Sequence, residues 1–253
     1  MVAWLVMARA WRVAWTVVSI FVVESVVFGL AVLPAFLFWS LIQHWPLPRP
    51  QESVLEPALI AMTLIPAYLV FAVALVVLSA WSVRLCGWRT SPDGTWRLAD
   101  LEWPLLTWSR YMISTHVVRV LVGTFFRSSP LWTWYLRLNG ARIGKGVYIN
   151  SMSISDHNML EFGDGVVIGE SVHLSGHTVE GGVVKTGYVR LGRGVTVGLG
   201  SIVGIGVVAG DRCQIGALSV VPKNTVLEAG GIYVGVPVRR LERATPHEGG
   251  VEV

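Results

Sequence analysis

Leu191-Gly192-Arg193-Gly194-Val195-Thr196-Val197-Gly198-Leu199-Gly200-Ser201-Ile202-Val203-Gly204-Ile205-Gly206-Val207-Val208-Ala209-Gly210 is the stretch that decides the fold. Apolar or small residues recur six apart at Leu191, Val197, Val203 and Ala209, and the series runs on through Ile215, Val221 and Leu227. Glycine follows five of them (Gly192, Gly198, Gly204, Gly210 and Gly216), and small or β-branched residues stand four places on, at Val195, Ser201, Val207, Cys213, Ser219 and Thr225. A fixed period of this kind marks a repeat architecture. Each hexad reads as a short strand plus a corner, so three hexads close a triangular coil whose inward residues stack on the next coil about 4.7–4.9 Å away. The glycine beside each inward residue is expected to supply backbone freedom at the corner. The register extends back through Leu174, Ile168 and Phe162 and, after a slip of one residue, to Ile149 and Ile143.

This pattern resembles the hexapeptide-repeat, left-handed β-helix acyltransferase superfamily. Asn139-Gly140-Ala141-Arg142-Ile143-Gly144 is similar to that superfamily's opening coil, and Tyr233-Val234-Gly235-Val236-Pro237-Val238-Arg239 to its G-x-P-A-[KR] closing motif. The resemblance implies an all-β left-handed parallel β-helix over 139–241. It does not imply one substrate, because the superfamily acylates sugars, amino acids, antibiotics and carrier-bound intermediates.

The other half of the chain is apolar in a different way. Hydrophobic residues make up 53% of the 253 and charged ones 14%, too apolar for an ordinary soluble domain. From Val13 to Ile42 the only charge is Glu24, and from Ala58 to Val83 there is none. Each run exceeds the roughly 20 residues that cross a bilayer core, which predicts a transmembrane hairpin within 1–100. The first run is too long, and lacks the small-residue cleavage site, for a signal peptide. Pro46-Leu47-Pro48-Arg49-Pro50 reads as the connector between the spans. Arg9, Arg12, Arg84, Arg89 and Arg97 flank the hairpin and only Arg49 lies in the connector, so the positive-inside bias puts the β-helix on the cytoplasmic side of an inner membrane.

Trp4, Trp11, Trp15, Trp39, Trp45, Trp81 and Trp88 suit interfacial anchoring, and Pro34 and Pro66 are expected to kink their helices. Glu24 reads either as a polar contact inside a helix bundle or as an acid seeking one leaflet. Within 101–138, Tyr111, Val118, Leu121, Val122 and Phe125 recur near helical spacing, predicting an amphipathic linker helix along the headgroups or packed on the spans. Residues 242–253 read as a flexible tail. Cys86 and Cys213 have no metal-type or redox-type neighbours, so no metal site is expected. The net charge of +4 resides largely in the membrane flanks and does not point to nucleic acid.

Chemistry is expected where the register breaks. Leu174 and Leu191 are seventeen residues apart, not a multiple of six, so a loop leaves the coils over Ser175–Lys185 and carries His177, Glu180 and Lys185. Acyl transfer from a thioester requires a base for the incoming nucleophile, and histidine titrates near cellular pH. His177 is therefore the candidate base, with Glu180 as the carboxylate that orients it. His157, in the earlier slip of register, is a candidate wall of the same cleft from an adjacent subunit. His173 reads as an outward structural side chain, and His44, His116 and His247 have no catalytic context.

A narrower resemblance follows from the excursion. Hexapeptide-repeat domains at the C-terminus of ε-poly-lysine synthetase-type nonribosomal peptide synthetases carry Q-T-H-x-x-E-D-R-V-x-K after a paired membrane segment, and His177, Glu180, Val183 and Lys185 match in spacing. Ser175-Gly176 replaces Q-T, and Gly181-Gly182 replaces D-R. The resemblance implies a membrane-anchored acyltransferase or amide-forming condensation enzyme with an amine acceptor and no tightly bound cofactor. Its donor would be a carrier-protein or coenzyme A thioester approaching near Gly235, Pro237 and Arg239, with Lys185 binding an anion or fixing the loop. It also implies a homotrimer. Two other readings stand beside it: an acetyl-coenzyme A dependent O- or N-acetyltransferase on a lipid-linked or envelope precursor, and a non-catalytic membrane scaffold.

Overall fold

In a computed structural model, residues 2–44 and 55–242 are described. The Pro46–Pro50 connector, Trp45 and the tail from 243 lie outside the described residues. Two long helices come first, α1 (Val2–Gln43) and α2 (Leu55–Leu85), and they pack against each other along their length. Both contain apolar stretches long enough to cross a membrane. Pro34 and Pro66 sit inside continuous helices rather than ending them. Trp4, Trp11, Trp15 and Trp81 are exposed, as interfacial anchors would be, whereas Trp88 is buried with Val83 and Tyr111.

The linker is built of several helical segments. α3 (Trp103–Val118) continues through a π-helical stretch (Arg119–Gly123) into α4 (Thr124–Phe126), and α5 (Pro130–Leu138) follows after a turn. α3 packs on α1 and α2, and α5 on α2 and the first coil strands. Tyr111, Val118 and Val122 are buried, while Leu121 and Phe125 remain exposed. The reason lies in Arg110, whose guanidinium donates to Ser19 Oγ (2.9 Å) and Thr16 Oγ1 (3.1 Å) and ties α3 to α1. One continuous apolar core runs from the hairpin through Trp132, Tyr135 and Leu136 into the coils.

The coils themselves are built from two- and three-residue strands in three parallel sheets. Thr196 pairs with Gln214, Ile202 with Val220 and Val208 with Val226, each 18 residues apart, so the chain visits the three sheets in turn. Inward residues stack as Ile149-Ile168-Val197-Ile215-Tyr233, Leu174-Val203-Val221 and Phe162-Leu191-Ala209-Leu227, all buried. Cys213 is fully buried in this stack and its thiol is pushed up to about 11 by burial.

The glycines after the inward residues serve a purpose other than the expected corner freedom. A Cβ on Gly198 would lie 2.4 Å from the backbone nitrogen of Ala217 in the next coil, so this position is glycine because two backbones meet there. The left-handed corner falls two residues later, at Gly194, Gly200, Gly206, Arg212, Leu218 and Asn224, with φ between 55° and 73°.

Two irregularities shape one end of the stack. Ile143 pairs with Phe162 and Ile149 with Ile168 at 19 residues, and the bulging segment holds Asp156 (φ +52°) and a short 3-10 helix, His157–Met159. His173 pairs with Ile202 at 29 residues, the surplus being the Ser175–Lys185 excursion. That excursion is a β-hairpin (His177–Glu180 with Val183–Thr186), and the strand Thr95–Arg97, just past α2, adds a third antiparallel strand to it.

Candidate functional site

The two irregular segments meet. His177 opens the hairpin with its ring one-fifth exposed, and its Nδ1 lies 2.5 Å from Oδ2 of Asp156, a carboxylate with no solvent exposure. Asp156 Oδ1 accepts from Thr90 Oγ1 (2.6 Å) and from Trp108 Nε1 (3.0 Å), and Oδ2 also accepts from the backbone N–H of Gly176 (3.1 Å). Burial alone would raise the Asp156 carboxyl, but the hydrogen bond and charge of His177, with Thr90 and Trp108, outweigh it and hold the pKa below the ordinary carboxylate value. An ionised carboxylate only accepts, so Nδ1 of His177 carries the proton and donates it. In the neutral imidazole Nε2 is then the free nitrogen, the tautomer a general base needs. The Trp108 ring stands edge-on to the imidazole at 4.9 Å and limits its rotation.

His177 lines a cleft of about 320 Å³ together with His173, Glu180, Ile202, Val220 and Lys223. The cleft runs across the face formed by the strands at 173–174, 202–203 and 220–221. Partial burial, with the neighbouring charge of His177, pushes His173 below the ordinary histidine value. Glu180 reaches across the cleft to form an ion pair with Lys223, which draws its carboxyl down. The carboxylate on His177 is thus Asp156, and Glu180 forms part of the rim. Two residues of strand carry the Glu180 side chain away from the imidazole and towards the coil that holds Lys223.

The remaining sequence candidates lie apart from the dyad. Lys185 is exposed on the hairpin, opposite Thr178 and Thr95. His157 does not line the cleft: it is buried among the edges of Tyr111, Trp132 and Tyr135, and burial lowers its pKa to about 4. Its backbone N–H donates to the Tyr111 hydroxyl (3.1 Å), so this segment is held from α3. Gly235 and Pro237 extend the cleft face by one further strand position. The Gly235 carbonyl accepts from Val220 N (3.0 Å), and Val238 N donates to the Val220 carbonyl (2.9 Å). Arg239 then pairs back with Val234, outside the cleft lining.

Asp156, Thr90, Trp108 and Lys223 were not singled out by sequence reasoning. For Asp156 a signal existed, because it stands in the only other place where the register slips. Thr90 and Trp108 come from the helical part of the chain, 66 and 48 residues before Asp156, and carry no local pattern.

No family model matches the chain. Over 122 residues it is 35% identical to UDP-3-O-acylglucosamine N-acyltransferase of Delftia acidovorans (strain DSM 14801 / SPH-1), a match that covers 44% of this chain and 36% of that protein. It is 29% identical over 136 residues to delta-poly-L-ornithine synthetase of Acinetobacter baumannii (strain AB307-0294), covering 54% of this chain and 10% of that protein. The repeat domain resembles that of the hexapeptide-repeat superfamily. This chain therefore spans about a third of one of these curated relatives and about a tenth of the other. Among solved structures, a mutant of the Bacillus cereus N-acyltransferase AntD in complex with dTDP-4-amino-4,6-dideoxyglucose and coenzyme A matches at 27% identity and a TM-score of 0.32, over 40% of this chain and 59% of that one.

Proposed function

We propose that this chain is a membrane-anchored acyltransferase that forms an amide between a thioester-borne acyl or aminoacyl group and an amine. The observation that carries the reading is the His177–Asp156 dyad, set at a cleft across the faces of a hexapeptide-repeat domain. His177 Nε2 takes a proton from the neutral amine as its nitrogen attacks the thioester carbonyl, and the C–N bond forms. Collapse of the tetrahedral intermediate breaks the C–S bond, and the proton held on His177 passes to the departing thiolate. Asp156 stabilises the imidazolium between these steps and keeps the ring in place. The names of the relatives, an N-acyltransferase and a poly-ornithine synthetase, support an amine acceptor. The donor is a thioester of coenzyme A or of a carrier protein.

In this reading the coils wind left-handed, 1–100 provides the hairpin, 139–241 the catalytic unit, and both termini lie in the cytoplasm. Lys185 and Arg239 hold the donor's anionic groups at the two ends of its path, which runs from the β-hairpin along the cleft face towards Gly235 and Pro237. Three chains assemble as a trimer, so that one prism's cleft is walled by its neighbour. His177→Ala tests the chemistry. Loss of a general base lowers the rate about 10²–10⁴-fold, and a variant that stays within threefold of the parent with both coenzyme A and carrier-protein donors removes His177 from the mechanism. A stable, fully active monomer in native mass spectrometry rules out the trimer.

A second reading has the same chemistry acting on an envelope precursor, and the 35% identity to a UDP-acylglucosamine N-acyltransferase favours it. Parallel assays with a nucleotide-linked amino sugar and with an amino acid as acceptor decide between the two.

A further inference from the structure

A second pocket, of about 300 Å³, opens where α2 ends against the first turn of the coils, and its lining includes Arg84, Arg89, Gly87, Tyr111, Asn139 and Asn158. We propose that it binds the phosphate of an anionic lipid headgroup. The assignment rests on the membrane-anchored reading.

Both guanidiniums are exposed, and neither forms an ion pair among the described residues, whereas Arg9, Arg127, Arg142, Arg190, Arg193 and Arg240 each pair with a carboxylate. No carboxylate lines the pocket. The carbonyls at the end of α2 would repel an anion, but those of Ser82, Val83 and Arg84 are occupied, accepting from the N–H groups of Cys86, Trp88 and Gly87. Gly87 has φ +67° and nothing within 4 Å of where a Cβ would stand, so the pocket mouth is open on that side.

Depth supports a lipid as the source. The uncharged run Ala58–Val83 is long enough to cross a bilayer core, so Arg84 is the first charge met on leaving it. Trp81 and Leu85, on either side of it, are exposed and face outward where an interfacial tryptophan belongs. Basic pockets at this depth on the cytoplasmic side attract anionic headgroups. The far wall also touches the dyad's support. Asn158 Nδ2 donates to the Thr90 carbonyl (2.8 Å) and its Oδ1 accepts from Thr90 N (3.3 Å), next to Arg89, while the Thr90 hydroxyl holds Asp156.

The full chain in nanodiscs of phosphatidylcholine mixed with phosphatidylglycerol, with retained lipid counted by native mass spectrometry, tests the assignment. Phosphatidylglycerol should be retained over phosphatidylcholine on the order of tenfold. The preference should vanish in the double variant R84Q/R89Q and survive in R84K/R89K. Equal retention of the two lipids, or an unchanged preference in R84Q/R89Q, overturns it. Displacement of phosphatidylglycerol by millimolar inorganic phosphate would show a soluble anion to be the occupant and would overturn the lipid source. Alkaline carbonate extraction of the parent chain keeps the two readings apart, since release of the protein into the supernatant defeats membrane anchoring itself.

Discussion

Asp156 is buried, stands in the left-handed region, and is reached by His177, Thr90, Trp108 and the Gly176 amide. Asp156→Asn keeps the shape but removes the charge that stabilises the imidazolium, and kcat should fall about 10²–10⁴-fold with KM little changed. By contrast, Glu180→Gln and Lys223→Met alter only the rim and should leave kcat within about threefold. A large kcat loss in Glu180→Gln with none in Asp156→Asn would reverse the two roles. Asp156 also makes stability depend on pH. Its folded pKa lies below the ordinary value, so its contribution is present above about pH 3.8 and is lost as pH falls through the folded pKa. His157 acts at higher pH. With a folded pKa of about 4 against 6.5, the unfolded chain binds a proton that the folded chain refuses, so stability falls as pH drops from 6.5 towards 4. His157→Phe, filling the same aromatic box, should flatten Tm between pH 7 and pH 5, and an unchanged slope would show that His157 is not the titrating group.

Elements show two distinct uses of the hexad, close approach at one position and a left-handed corner two residues on. Gly198→Ala should destabilise by about 1–3 kcal/mol, because the added methyl meets the Ala217 backbone rather than a movable side chain. Leu218→Gly should stabilise by about 1 kcal/mol, since Leu218 is exposed and carries φ +55°. Thermal melts of the two variants should move in opposite directions, and a shift of the same sign in both would refute this division of roles. The hairpin at 177–186 was legible as a break in period. Its third strand, Thr95–Arg97, was not, because three residues give too short a pattern to distinguish from a loop.

At the scale of the whole molecule, the helical part of the chain completes the site. Thr90 lies between α2 and α3 and Trp108 lies on α3, yet both donate to Asp156 in the coils. A hydrogen bond to a charged group is worth about 1.5–3 kcal/mol, so Thr90→Val with Trp108→Phe should loosen the dyad. The expected signature is a lowered kcat with an acid limb of the pH–rate profile moved to higher pH, because Asp156 loses two groups that favour its ionised form. Full activity with an unmoved acid limb would reduce these two residues to packing.

The sequence by itself determined the repeat, the inward residues, the place where a loop leaves the coils and the two apolar runs, since each is a periodicity or a length that neighbouring residues impose on one another. It also singled out His177, the histidine in that excursion. Which carboxylate meets His177 was decided only by tertiary structure. Asp156 and Glu180 are both near it in sequence terms, 21 and three residues away, but strand geometry turns Glu180 towards Lys223, whereas stacking brings the preceding coil's bulge beneath the imidazole. The same holds for Thr90 and Trp108, whose proximity to Asp156 exists only once α3 is packed between hairpin and coils.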